Sequence, residues 1–581
     1  MKTSFVRPFS WIRAPWGWLQ LKGNSPRSTI DEPIPPSVHN SSRSRYRHPG
    51  FETEACGKAC ILGLGPHFHR LRHRLGMDMA FHGHPLAEGT ESSSAWRVPA
   101  KIGSTVRSLL RLHWRWLTGM LALSAAYTLL AIASHSRNAA VVTPYPHDLA
   151  HVSFAVAGDV IPHEPVRAAA KAAGEAEPGW AALFADVADV FEGADFGFVN
   201  LETPVAPEHS HGTKAFLFDA PVDLPTALKA SGIRIVSFAN NHVMDQGWAG
   251  FAESRQHLKE MGLEIVGTSD NAATAWQPVV VEANGIKVGW LGMTRWLNGG
   301  RNPEADDQPH VNFYPYPGEA GGATGADEAT VLNAVKAARA QCDLLVVSVH
   351  WGVEYATAPR AEDIDLAHKM LEAGATVIVG AHPHVLQPVE TYRTQDGRDT
   401  VIFYSLGNFL SNQSRSYVDG LNPDSNGEPR DEMIGLFSAV RRDYGPAGVR
   451  VELGRVGVLP VWEENNRNEI AAGREKSPVI HPVLIDRELP ALQAQLDALN
   501  QIAGSAAPPA ATTIGGPNAE PAAGTKKAVA ESGSASLTPE QKKQYIELTK
   551  KIKLLTDRRA LILSRTGDEY VTSPPKRPSK P

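Results

Sequence analysis

The sequence predicts an α/β protein with a mixed sheet, flanked by an N-terminal transmembrane segment and a C-terminal helix. Three observations carry this. From about residue 150 to 465, short runs rich in Val, Ile and Phe alternate with amphipathic stretches, the pattern of strands interleaved with helices. Trp116–Ser134 is a stretch of 19 residues without a charge. After residue 537 apolar residues recur at spacings of three and four. At 581 residues the chain exceeds what one core accommodates, so one large domain with extensions is expected.

Charge divides the chain. Before Trp116 there are 17 Lys and Arg against 7 Asp and Glu, a net of +10, which leaves −15 for the remainder of a chain whose total is −5. Residues 1–112 mix Pro, Ser, Arg and His without a sustained period, as expected of a disordered basic arm or of a start assigned too far upstream, with Met77, Met79 and Met120 as alternative starts. The Arg clusters at 43–47 and 70–74 offer electrostatic attraction only, so no nucleic-acid partner is expected. The three cysteines make no disulfide framework: no second Cys/His pair at zinc spacing accompanies Cys56 and Cys60, and Cys342 reads as a buried thiol.

Residues 113–135 are expected to be a membrane anchor or a signal segment. The apolar stretch is close to the ~20 residues needed to cross hydrocarbon as a helix. Arg107, Arg111 and Arg115 precede it, which keeps that side cytoplasmic, and Trp114, Trp116 and Tyr127 suit the interface. A single-pass inner-membrane protein with its main domain on the periplasmic or extracellular side follows. Ala131-Ile132-Ala133 also resembles a cleavage site, so secretion to the periplasm after cleavage is the alternative.

Strands are expected at Val152–Ala157, Phe196–Leu201, Ile233–Phe238, Val279–Glu282, Val288–Met293, Leu344–Val349, Thr376–Val379 and Val401–Tyr404. Helices are expected at Ala249–Met261, ended by Gly262, and Glu362–Ala373, ended by Gly374. Val449–Leu453 and Val456–Leu459 lack a helix between them and are expected to pair antiparallel, with Pro460 closing the second. Thr294–Gly325 reads as a long functional or mobile loop whose Arg295 and Arg301 either recognise an anionic substrate or are solvated loop charges. Residues 466–536 are an extension and an Ala/Pro/Gly-rich linker, 537–570 an amphipathic helix with a capping start at Leu537-Thr-Pro-Glu, and 571–581 a disordered tail. One amphipathic helix does not fold alone, so Tyr545, Leu548, Ile552 and Leu555 are expected to dock on a partner or a second copy.

The chemistry gathers where strands end, the place where open α/β sheets bind ligands. Five such ends carry metal-competent side chains: Gly158-Asp159, Asn200-Leu201-Glu202, Asn240-Asn241-His242, His350-Trp351-Gly352 and His382-Pro383-His384. Singly, each is an ordinary turn or cap residue. Together, carboxylates, amides and imidazoles suit Mn, Fe or Zn better than Ca or Mg, and exceed the needs of one ion. Two divalent transition-metal ions bridged by Glu202 are expected.

These motifs, in this order and with His350-Trp-Gly-Val-Glu-Tyr, Gly380-Ala-His-Pro-His-Val-Leu-Gln-Pro and Ser405-Leu-Gly-Asn-Phe, resemble the CapA family of capsule and poly-γ-glutamate synthesis proteins, in the calcineurin-like metallophosphoesterase superfamily. The resemblance covers about residues 152–462 within a 150–465 domain and implies a four-layer αββα sandwich. It further implies Asp159, Glu202, Asn241, His350, His382 and His384 as metal ligands, His242 as the catalytic histidine, and an anionic polymer such as poly-γ-glutamate with a membrane-bound synthase or exporter as partners. Asn408 belongs to a resembling motif and would orient a ligand or satisfy a turn. The sequence departs from the superfamily at the first strand, where Val160-Ile161 stand in place of Asp-x-His, and at the second, where the carboxylate is Glu; His163 lies four residues after Asp159 and is a possible substitute. The expected activities are metal-dependent hydrolysis of phosphoesters or of an exported polymer, or a non-catalytic polymer-holding subunit.

Overall fold

The computed structural model describes residues 100–141, 145–319, 325–505 and 537–575. The arm before residue 100 with Cys56 and Cys60, the bulk of the Ala/Pro/Gly-rich linker and the last six residues lie outside the described residues. Helix α1, Ala100–Val141, begins before the apolar segment, and its His113–Ser134 portion is long and apolar enough to cross a membrane.

The domain opens with strand β1 (His147–Val160), helices α2 (Glu164–Ala173), α3 (Ala176–Leu183) and α4 (Ala188–Glu192), β2 (Phe196–Leu201), α5 (Asp223–Ala230), β3 (Ile233–Ser237), α6 (Gly247–Glu260) and β4 (Glu264–Val266). There follow β5 (Thr268–Ser269), β6 (Val279–Ala283), β7 (Ile286–Thr294), β8 (His310–Val311), α7 (Glu328–Arg339), β9 (Leu344–His350), α8 (Ala361–Ala373) and β10 (Val377–Ala381). The chain continues through β11 (Val389–Arg393), β12 (Asp399–Phe403), β13 (Asn408–Leu410), β14 (Asp431–Asp443), β15 (Val449–Asn465), α9 (Arg467–Ala471), β16 (Ile480–Leu484), α10 (Ile485–Ser505) and α11 (Pro539–Thr566).

Two mixed sheets result. The first runs β16-β15-β14-β1-β2-β3-β4, with β13 beside β1, and its β1 to β4 are parallel while β14 to β16 are antiparallel. The second runs β11-β12-β10-β9-β7-β6, parallel in the middle with an antiparallel strand at each edge. Alternation along β1 explains how they stack: Val152, Phe154 and Val156 face the second sheet, whereas Ala155 and Ala157 face the helices. Between the sheets Trp290 lies 4.9 Å from Phe198 and 5.7 Å from Phe154, ring centre to ring centre. Helices α2 to α6 cover the outer face of the first sheet through residues such as Val166, Trp180, Phe191, Leu228 and Phe251. Val331, Val335, Leu366 and Met370 of α7 and α8 cover the outer face of the second. This is the four-layer αββα sandwich that the resemblance implies.

Gly262 and Gly374 end their helices as expected, at φ +69° and +131°, where a side chain is unfavourable. Two expectations are corrected. The two runs around residue 455 form one strand that passes through Pro460 to Asn465; Pro460 faces Met433 and sits one residue before the pairing with β16 begins. Helix α11 has its capping start at Thr538 as expected, with Gln541 completing the cap, and docks on its own chain rather than being left for a partner. Leu548, Leu555 and Ile562 are buried against β15 and α10, whose Leu492 and Leu499 join the same core. Each such burial stabilises by about 1.5–3 kcal/mol. Arg558 is buried with them and donates to Asp431 of β14 from Nε at 2.8 Å.

Candidate metal centre

The parallel strands of both sheets end on one side, and their ends place the chemistry. Asp159 sits near the end of β1, Glu202 follows β2, Asn241 and His242 follow β3, His350 ends β9, and His382 and His384 follow β10. All seven are buried. His382 and His384 hold left-handed backbone at φ +97° and +57°, a conformation that costs about 1–3 kcal/mol per residue and concentrates at functional sites.

Glu202 Oε1 is the point of convergence. The Nε2 atoms of His350 and His384 lie 3.8 Å from it and that of His242 4.0 Å. This oxygen and His382 Nδ1 are buried without a hydrogen-bond partner. Such orphaned atoms cost stability unless something fills the gap. Burial first, and then the neighbouring Asp159, push the Glu202 carboxyl well above the usual carboxylate range. Burial first, and then neighbouring imidazoles, hold His350 and His382 well below the ordinary histidine value, so both are neutral with lone pairs to offer. A buried carboxyl that resists ionisation, surrounded by neutral imidazoles, is a donor set that a dication stabilises. Donor atoms within 4.8 Å of one another group as Glu202, His350 and His382; as Asp159, Glu202 and His384; and as Glu354, His382 and His384. Glu202 belongs to the first two groups and therefore stands between them.

The surrounding amides orient these donors. Asn408 donates from Nδ2 to Pro429 O at 2.7 Å, so its Oδ1, 3.1 Å from His384 Nδ1, accepts. His384 thus carries its proton on Nδ1 and turns the bare Nε2 toward Glu202. Asn200 Nδ2 lies 2.7 Å from Asp159 Oδ1 and 3.2 Å from Glu202 Oε2, tying the two carboxylates together. Asn241 Oδ1 is 2.9 Å from His350 Nε2. His242 Nδ1 lies 2.8 Å from Asp245 Oδ2, which leaves Nε2 toward Glu202.

Three residues are placed differently from expectation. Arg295 does not face a substrate: its side chain is 3% exposed, donates to Asp363 at 3.0 Å and lies 3.7 Å from the Tyr316 ring centre. Asn408 has both ends of its amide engaged by protein groups, so it orients His384 rather than a ligand. His163 does not replace the missing first-strand histidine: its Nδ1 accepts the Asn412 backbone N–H at 3.2 Å, and burial chiefly holds its pKa at about 4. Arg301 is exposed, on the loop whose Asn298 meets Asn241. Asn200 and Asp245 were not among the expected site residues. Strand alternation, which puts residues 200 and 202 on one face, points to the first; the three-residue spacing from His242 within a turn points to the second.

Residues 153–413 match the family described as bacterial capsule synthesis protein PGA_cap. A protein called PGA biosynthesis protein CapA from Bacillus subtilis is 30% identical over 41% of this chain and 58% of its own length. A capsule biosynthesis protein CapA from Bacillus anthracis is 30% identical over 40% of this chain and 54% of its own. The chain thus spans little more than half the length of these relatives. Among solved structures, a hypothetical protein from Thermus thermophilus is similar at 16% identity and a TM-score of 0.29, covering 53% of this chain and 99% of that one. A 5'-nucleotidase from Candida albicans is similar at 8% identity and a TM-score of 0.26, covering 49% of this chain and 46% of that one. The matched segment runs from within β1 to just past β13 and contains all six motifs, so residues 153–413 are similar to the PGA_cap family of bacterial capsule synthesis proteins.

Proposed function

We propose that this protein is a membrane-anchored, externally facing component of capsule or poly-γ-glutamate synthesis or export, with a dinuclear-metal hydrolase site. The observation that carries the site is Glu202 Oε1, buried, unpartnered and ringed by three imidazole nitrogens at 3.8–4.0 Å. Asp159, Glu202, Asn241, His350, His382 and His384 would hold two divalent ions, Mn, Fe or Zn, which supply charge to activate a water and to neutralise a departing oxygen. The chain's own groups do the rest. Asp245 Oδ2 holds His242 through Nδ1 at 2.8 Å and orients the ring, so that Nε2 would pass a proton to a leaving oxygen. Burial of the whole set excludes bulk water from the reacting atoms. Arg301, exposed on the loop whose Asn298 meets Asn241, would contact an anionic substrate. The apolar helix and the basic residues before it support the anchor and the outward orientation.

Metal analysis of the chain after Ser134 is expected to find about two transition-metal ions per molecule, as a two-metal site requires. Turnover of model phosphoesters or of poly-γ-glutamate is expected to fall at least about 100-fold in His242→Ala with metal content unchanged. Equal turnover in the two proteins on every substrate excludes catalysis by His242. The departure at Val160-Ile161 favours a second reading, a non-catalytic subunit that holds the polymer. Metal binding without turnover would select it.

A further inference from the structure

Beside the metal centre lies an open cleft of about 750 Å³, lined by His163, Phe216, Tyr355, Gln413, Arg415 and Asn426 among others. It adjoins the site. The Tyr355 ring lies 6.1 Å from that of His384, and Gln413 Oε1 accepts from Asn408 Nδ2 at 3.1 Å, the same amide that orients His384.

The loop forming one wall is pinned at both ends. Ser411 donates its backbone N–H to buried Glu463 at 2.6 Å, and Asn412 Oδ1 accepts from Asn465 at 3.2 Å. At the far end Tyr417 is buried, its ring 6.1 Å from Trp462. Between these anchors Arg415 is exposed, and among the described residues it makes no ion pair. The carboxylate lining the cleft, Glu428, is already engaged by Arg565 at 3.2 Å. His163 is uncharged at neutral pH. The cleft therefore offers one uncommitted cation, amides from Asn412, Gln413 and Asn426, and two exposed aromatic faces. Phe216 and Tyr355 are 78% and 50% exposed, both on left-handed backbone at φ +63° and +64°. A cation, amide donors and apolar walls together fit a chain that alternates carboxylates, amides and methylene segments.

We propose that this cleft is the subsite that guides an extended polycarboxylate chain to the metal centre, with Arg415 as its anion-recognising and specificity-determining residue. The inference deepens the reading under Proposed function, and Arg415 takes the role that sequence reasoning assigned to Arg295. It does not require that the site be hydrolytic.

The test uses the full chain and its Arg415→Glu and Arg415→Lys variants, titrated calorimetrically with poly-γ-glutamate oligomers, with adenosine monophosphate as the second probe. Loss of one charge-assisted contact is expected to weaken oligomer binding about tenfold or more in Arg415→Glu, with Arg415→Lys retaining most of it and metal content and melting temperature unchanged in both. Oligomer binding equal in wild type and Arg415→Glu overturns the proposal. So does an Arg415-dependent affinity for the nucleotide without affinity for the oligomer. If no protein turns over any substrate but Arg415→Glu still loses oligomer binding, the hydrolase reading fails and this subsite stands.

Discussion

At the scale of single residues, the most exacting groups are carboxyls largely shielded from solvent by the protein. Asp245 is placed to set the tautomer and orientation of the His242 ring, and Asp245→Asn keeps its size while removing the carboxylate. We expect kcat to fall about 10- to 100-fold with metal content and KM little changed, read from steady-state kinetics beside metal analysis. Glu463, buried on β15, accepts from Ser411 while burial pushes its carboxyl up to about 8. Glu432 on β14 is raised as well, by burial and then by Glu463. In the unfolded chain such a carboxyl titrates near 4.5, so between about pH 4.5 and 8 the folded state holds a proton that the unfolded state releases. Stability therefore falls as pH rises through that window. Glu463→Gln cannot ionise and can still accept from Ser411. Its melting temperature is expected to exceed that of the wild type at about pH 9 and to converge with it near pH 5. A constant difference across pH would show that this carboxyl is not the cause.

At the scale of elements, the strand exits are held by close backbone approach. A Cβ on Gly380 of β10 would lie 2.0 Å from Tyr404 O and 2.7 Å from Trp351 Nε1, which itself donates to Tyr404 O at 2.9 Å. Gly380→Ala has to push β10 away from the chain leaving β12, two residues before His382. A loss of about 1–3 kcal/mol in chemical denaturation is expected, together with weaker metal binding by calorimetry. The core of the αβ alternation was readable: Phe196–Leu201 is a strand with the expected bounds, and β3, β9 and β12 lie within a residue or two of expectation. Strand β14 was not expected. Its apolar run is interrupted by Gly435 and Ser438 and opens on the carboxylates Asp431 and Glu432, both buried, which no hydropathy period foretells. Proline did not close β15, because Pro460 stands where the ladder to β16 has not yet begun.

At the scale of the whole molecule, the C-terminal helix belongs to the fold rather than to a partner. The first sheet extends through β14, β15 and β16, and α10 and α11 pack against this part of it. Arg565 of α11 also reaches Thr357 O and Glu428 at 3.2 Å each, so the helix braces loops near the metal centre. Leu555, fully buried, is expected to cost about 2–5 kcal/mol when replaced by Ala, measured by denaturation of the chain after Ser134. A change under about 0.5 kcal/mol would mean that the helix leaves the domain in solution.

What the sequence determined alone is what depends on local chemistry: strands from runs of β-branched residues, glycine helix ends from left-handed geometry, and metal-competent side chains where strands stop. Tertiary structure decided what depends on neighbours distant along the chain. Whether Arg295 is free or spent depends on Asp363, 68 residues later, and the helix that covers β15 arrives from across the linker. The convergence on Glu202 Oε1 likewise arises because parallel strands of two sheets end on one side, a relation of register and stacking that no single segment contains.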